Sequence, residues 1–192
     1  QKLKLILKIT GFTFLALLLA LIIFPFVFKD KIIEAVKNAI NDNLEAEVAF
    51  EKIDLSVWKS FPDINISVHD LSITGVDTFE SLQLLKTDRL DLDFSFWSVV
   101  GKNITPSLKY IGLQKPVVNI LVLNDSLANY MIARPSSDTT ASAQFKLVLE
   151  GYQINDGTLS YRDRAKDMTI QLKGLNHSGK GDFTRDIFKL QT

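Results

Sequence analysis

The side chains able to do chemistry in this 192-residue chain are few. His69 and His177 are its two imidazoles, and neither lies in a metalloprotease-type helix motif or beside a plausible nucleophile. Both read as surface or sheet-edge residues. Asp91-Leu92-Asp93 resembles a metal-binding acidic pair. On an alternating strand, however, that spacing puts both carboxylates on one outward, solvated face. Asp163, Arg164, Lys166 and Asp167 form a mixed-charge turn without calcium-loop spacing. There is no cysteine, hence no thiol nucleophile, thiolate zinc site or disulfide, and no glycine-rich phosphate loop. The chain reads as a non-enzyme with no catalytic residues, cofactor or metal.

The elements that would carry any other function divide between two solvents. From Ile9 to Phe28 no residue is charged, and only Thr10, Gly11, Thr13 and Pro25 fall outside the hydrophobic set. As a helix rising ~1.5 Å per residue, this stretch reaches about 30 Å, one hydrocarbon core. Lys2, Lys4 and Lys8 precede it, so the positive-inside rule places the amino terminus in the cytoplasm and everything from Lys29 onward across the membrane. A cleaved signal peptide would have a shorter apolar core and a small-residue exit. Here the exit is bulky, Ile23 to Phe28, which favours a retained anchor over residues 1–30. Beyond it, 22 acidic residues outnumber the remaining basic ones. A slightly acidic exterior argues against nucleic acid. A chain that opens on Gln and stops at Thr192 within an apparent strand reads as the first part of a longer polypeptide.

Residues 31–46 follow as a short juxtamembrane amphipathic helix: Ile32, Ile33, Val36, Ala39, Ile40 and Leu44 share a stripe. A polar face poor in Lys and Arg favours packing on the end of a sheet over lying on the membrane. After Ala46 the period becomes two. Val48 and Phe50 alternate with charges, and Ile53, Leu55 and Val57 resume after a one-residue phase shift that signals a bulge or break. Ile64, Ile66 and Val68, then Leu71 and Ile73 to a turn at Gly75, continue the pattern. The clearest strand is Leu90, Leu92, Phe94, Phe96. Lys109 to Leu113 and Val117 to Leu123 follow, with Pro116 at a strand start or edge. These make a first module, 47–133. The run RPSSDTTASA, 134–143, has the composition of a flexible loop. Residues 144–192 open a second module, with strands at Phe145 to Leu149, at Ile154, at Leu159 to Tyr161 after an Asp156-Gly157 turn, at Met168 to Leu172, and at Phe183 to Leu190. The expected fold is mainly β with an N-terminal transmembrane α-helix: a short amphipathic helix, then a long curled antiparallel sheet.

This order of features resembles a family. The lysine-flanked anchor, the helix to Leu44 and the stretch Val48 to Pro62, VAFEKIDLSVWKSFP, look like the amino-terminal region of AsmA-like proteins of Gram-negative envelopes. Asp63 to Gly75, DINISVHDLSITG, is similar to that family's second strand pair. Asp125, Asn129 and Tyr130 match its Asp-Gly-x-x-Asn-aromatic pattern, with Ser126 departing from the usual Gly. Ile154 to Asp163, INDGTLSYRD, resembles a recurring strand-turn-strand that opens the next module, and Lys173 to Asp182, KGLNHSGKGD, fits the Bacteroidetes branch. The likeness spans the chain in short, degenerate motifs. It implies kinship with TamB and the chorein-type bridge-like lipid transfer proteins: a curled sheet with an apolar groove, anchored in the inner membrane by Ile9 to Phe28 and reaching across the periplasm towards the outer membrane, with membrane phospholipids and other envelope proteins as partners.

A phospholipid crossing water exposes about 30 methylenes at roughly 0.8 kcal/mol each, a cost that an apolar trough removes. The candidate lining is Val48, Phe50, Ile64, Ile66, Val68, Leu90, Leu92, Phe94, Phe96, Val118, Ile120 and Val122. The same alternation serves a closed core equally well, and then the chain is a membrane-tethered scaffold or adaptor of an envelope complex with no conduit.

Overall fold

The computed structural model describes residues 2, 4–16, 19, 44–99, 107–134 and 146–181. Residues 4–16 are helical with exposed side chains. Among the described residues no helix is long and apolar enough to cross a membrane. The expected span Ile9 to Phe28 thus rests on composition and is not established by the fold; much of it lies outside the described residues. The amphipathic helix also lies outside them, except that Leu44 makes an isolated bridge to Ala133. The polar loop, apart from Arg134, and the final strand expected at Phe183 to Leu190 lie outside them as well.

The rest is one nine-stranded sheet. Its strands are β1 (Ala46–Ala49), β2 (Lys52–Ser56), β3 (Ile64–Gly75), β4 (Gln83–Phe94), β5 (Ser107–Gln114), β6 (Val117–Asn124), β7 (Leu127–Ala128), β8 (Lys146–Asp163) and β9 (Met168–Lys180). β1 and β2 lie end to end along one side of β3, and β4 takes the other side. β5 and β6 lie end to end between β4 and β8. β9 closes the order as the partner of β8. Both sequence-defined modules therefore contribute to the same sheet.

Three expectations are corrected. The sheet is mixed rather than antiparallel, because β5 and β6 both run parallel to β8. Parallel neighbours need a crossover of a dozen or more residues, and the chain between Asn124 and Lys146 provides it. Asp156-Gly157 is no hairpin turn but lies inside β8, with Asp156 at φ 52°. Phe96 does not continue its strand: β4 stops at Phe94, and Phe96 opens a one-turn helix, Phe96–Val99.

A crease runs straight across the strands. β1 gives way to β2 at Phe50-Glu51, where the Glu51 N–H bonds the His69 carbonyl at 3.0 Å. Next to that break Asp70 takes φ 50°, Lys115 takes φ 48° between β5 and β6, Asp156 follows on β8, and Gly174 takes φ 64° on β9. Contacts tie the line together: Lys115 Nζ lies 3.5 Å from Asp88 Oδ2 on β4, the Lys115 N–H bonds the Asn155 carbonyl at 2.8 Å, and the Asp156 N–H bonds Asn176 Oδ1 at 2.9 Å. A left-handed residue inside a strand adds one step to the alternation. Apolar spacing accordingly lengthens from two to three at Phe50/Ile53, Val68/Leu71, Ile154/Gly157 and Leu172/Leu175. Because the strands skip together, registers agree on both sides of the crease and one face stays largely apolar, with Thr87, Asp163 and His177 as polar members. A side chain at Gly157 would be crowded here: a Cβ would stand 3.0 Å from the Ile154 side chain and 3.3 Å from the Pro116 ring.

The core is a cluster of Ile53, Ile66, Val68, Leu71, Phe94 and Leu108. It sits on the curved first part of the sheet, with Val48, Phe50, Leu55, Leu85, Leu90, Leu92 and Ile111 packed around it.

Candidate functional site

Register assembles the apolar face from cross-strand rows. On one side of the crease, Ile53, Val68, Leu90, Leu113 and Ile154 are successive partners, and so are Leu55, Ile66, Leu92, Ile111 and Tyr152. Ile64 pairs with Phe94. On the other side run Val48 with Ile73, Ile73 with Leu85, Leu85 with Val118, Val118 with Leu159, and Leu159 with Leu172. Ile120 faces Tyr161, which faces Ile170; Val122 faces Asp163 and, across β7, Ala128.

Of the twelve candidate lining residues, ten fall into these rows. Phe50 stands at the crease, packed on the core cluster, and Phe96 leaves the sheet to meet Trp97 edge-on with ring centroids 5.1 Å apart. Ile64, Ile66, Val68, Phe94 and Val122 are buried, whereas Val48, Leu90, Leu92, Val118 and Ile120 keep part of their surface in contact with solvent. The sequence reasoning missed Ile53, Leu71, Leu113, Ile154, Leu159, Ile170 and Leu172 as members of the same face. Their signal in the sequence is the three-residue skip, which stands out only at Phe50/Ile53.

The opposite face is a polar network. Asn65 Nδ2 donates to Asp93 Oδ1 at 2.7 Å, and the Ser67 hydroxyl lies 2.6 Å from Asp91 Oδ1 and 2.8 Å from Asn65 Oδ1. Lys59 Nζ donates to Ser67 Oγ at 2.9 Å, and Arg89 Nε donates to Asp91 Oδ2 at 2.8 Å. The Asp91/Asp93 pair, expected to be merely solvated, is thus tied to buried Asn65 and Ser67. His69 Nε2 lies 3.0 Å from Asp54 Oδ2. On the apolar face, by contrast, His177 of β9, the register partner of Ile154, stacks on Tyr152. Burial, with Asp93 and Asp91 nearby, raises the pKa of the Tyr110 phenol, whose O–H donates to Gln153 Oε1 at 3.0 Å. Burial alone would lower the pKa of the Lys109 ammonium. Asp63 at 3.2 Å and Glu150 at 3.5 Å outweigh that and raise it. Among the described residues no group of three or more His, Asp or Glu could hold a metal ion.

The nine-stranded sheet thus has one largely apolar face and one hydrogen-bonded face. The model of the AsmA family matches residues 3–183. The chain belongs to the AsmA family. No curated protein and no solved structure matches it.

Two motifs of this AsmA-family chain acquire physical roles. After the Asp125-Ser126 turn, β7 folds back on β6, and Asn129 bonds along the β6 edge beyond the start of β4. Its N–H bonds the Leu121 carbonyl at 3.0 Å, its Oδ1 accepts the Leu121 N–H at 2.8 Å, and its Nδ2 donates to the Asn119 carbonyl at 2.7 Å. One amide replaces a missing strand. Ser126 is tolerated in place of glycine because its φ is not positive, and Asn124 Oδ1 accepts its N–H at 3.0 Å. At the end of β8, buried Asp163 accepts the Lys166 N–H at 3.0 Å and so closes the turn into β9. Burial would raise its pKa, but the Lys166 N–H and ammonium more than offset that and hold it below 3.8.

Proposed function

We propose that this AsmA-family chain carries phospholipid acyl chains along the apolar face of its sheet, as the inner-membrane-anchored, periplasmic start of a bridge towards the outer membrane. The observation that carries this reading is the course of the apolar rows. On the β1 side of the crease they run as far as β9, the last strand among the described residues, where Met168, Ile170 and Leu172 are exposed; on the β2 side they end on β8 at Ile154 and Tyr152, which face His177 and Gly179. An exposed apolar stripe of this kind is surface available to an apolar ligand. The chain performs no catalysis in this scheme. Its contribution is to replace water around the acyl chains, methylene by methylene. The uncharged stretch Ile9 to Phe28 supplies the anchor. A cysteine introduced at Asp30 should then react with an impermeant thiol reagent once the outer membrane is opened, and labelling only after inner-membrane lysis would refute the topology.

The sealed cluster around Ile53 favours a second reading, a membrane-tethered scaffold for an envelope complex. Photo-crosslinking residues separate the two. Probes at Leu92, Val118 and Leu172 should capture phospholipid, while probes at Asp91 and Gln171, one step along on the opposite face, should not. Absence of lipid adducts at all three apolar positions in membrane-extracted protein would leave the scaffold.

A further inference from the structure

The chain has two tryptophans, and both stand at the same end of the sheet. Trp58 lies in the turn between β2 and β3, and Trp97 in the helical turn after β4; the first residue of β3, Ile64, pairs with the last of β4, Phe94. Trp58 is 60% exposed, Trp97 77%, and Phe61 beside them 64%. Large aromatic side chains contribute most when buried, so three held in water at one sheet end call for an explanation.

Their exposure is built in. Ser56 Oγ accepts the N–H groups of Trp58 and Lys59 at 3.2 and 3.3 Å, and the Asp63 N–H bonds the Ser60 carbonyl at 2.8 Å. Ser98 Oγ donates to the Ser95 carbonyl at 2.6 Å and accepts the Ser107 N–H at 2.9 Å, which fixes the turn that presents Trp97. Two cations near this end are paired with carboxylates: Lys59 Nζ lies 3.9 Å from Asp91 Oδ1, and Lys109 Nζ lies near both Asp63 and Glu150. An acidic macromolecule would find no unpaired charge in those two lysines. Rings with an apolar body and a hydrogen-bonding edge, set among balanced charges, instead match the headgroup level of a bilayer, where Trp concentrates.

We propose that this aromatic end docks on a phospholipid bilayer, with Trp58, Phe61 and Trp97 inserted at the interface. Docking does not depend on the lipid-carrying reading, since a scaffold would use it equally well. The chain enters the sheet at Ala46, opposite Gly75, and the tryptophans lie at the other end of β3, about 40 Å away at ~3.3 Å per residue.

The test uses the full chain reconstituted into phosphatidylethanolamine/phosphatidylglycerol vesicles containing lipids brominated near the headgroup end of the acyl chains. With no other tryptophan present, fluorescence reports this end alone. Relative to the detergent-solubilised chain, emission should shift to the blue and lose intensity to the bromines, and high salt should leave both effects in place. In a W58F/W97F/Y130W variant the single indole, at the opposite end, should show neither effect. Water-like emission in vesicles would overturn the proposal, as would equal quenching at residue 130, which would mean nonspecific adsorption, or a shift that appears only when envelope proteins are added. Crosslinking at Leu172 in detergent reports lipid in the groove independently, so the two readings can fail separately.

Discussion

Ile53 on β2 and Leu172 on β9 lie on the same face of one sheet, yet Ile53 is 2% exposed and Leu172 44%. Ile53 belongs to one buried cluster with Phe94 and Leu108, and on the reverse face Lys59 reaches Ser67. Along β9 both faces are mostly in water, and β8 is its sheet partner. Local alternation is alike in the two regions, so the difference arises from neighbours. Among the described residues the last strand keeps its apolar side chains exposed, and it is there that the proposed lipid contact is open to test.

The largest expected effect breaks this comparison directly. Phe94→Ala should destabilise the chain by about 3–5 kcal/mol, because the buried ring leaves a cavity, while Leu172→Ala should cost no more than ~1 kcal/mol. Urea unfolding of both variants measures this, and equal losses would mean that β9 is as tightly packed as β4. Asn129→Ala comes next. It strips partners from the Leu121 N–H and the Asn119 carbonyl, each worth about 1–3 kcal/mol when left buried and unpaired, so the loss should approach that of Phe94→Ala although no apolar contact is removed. Asn129→Asp should fall between, since it keeps the acceptor and lacks the donor.

These two variants also mark what was legible in the sequence. The apolar face of β3 and β4 was, because Val68 and Leu90 belong to runs of strict alternation, and so was the break after Phe50, where the phase slips. The parallel pairing of β5 and β6 with β8 was not: alternation reports which face a residue takes and is silent about which strand lies alongside. Asp156-Gly157 misled for a related reason. A left-handed Asp followed by Gly makes a hairpin turn or a mid-strand kink with the same residues, and only the aligned Lys115 and Asn176 make it a kink. Asn129 was visible solely through family likeness, because nothing local shows that its amide ends on the edge of β6.

The two regions should also fail at opposite ends of the pH scale. Asp163, beside the open strands, has its pKa lowered, so its contribution is present above the ordinary value of 3.8 and is lost as pH falls through the lower folded value. Lys109, at the sealed end, has its pKa raised, so its contribution is present below 10.5 and is lost as pH rises through the higher folded value. Urea midpoints measured against pH should show Asp163→Asn flattening the acid limb alone and Lys109→Met the alkaline limb alone. A variant that changes both limbs would show that the halves do not titrate separately.

The smallest effect tests the crease that joins the halves. Asp156 bears a left-handed backbone that costs a non-glycine residue roughly 1 kcal/mol, partly relieved for Asp. Glycine removes that cost but loosens the unfolded chain by a similar amount, so Asp156→Gly should shift stability by no more than about 0.5 kcal/mol. Asp156→Val should be worse by ~1–2 kcal/mol, because a β-branched side chain resists positive φ. If valine forces β8 straight, the alternation beyond residue 156 slips by one and Leu159 turns away from Val118 and Leu172. Photo-crosslinking then reads the slip: a probe at Leu159 should lose its lipid adduct while one at Leu92, on the far side of the crease, keeps it. Adducts at both positions would show that neighbouring strands hold β8 in place without its own kink.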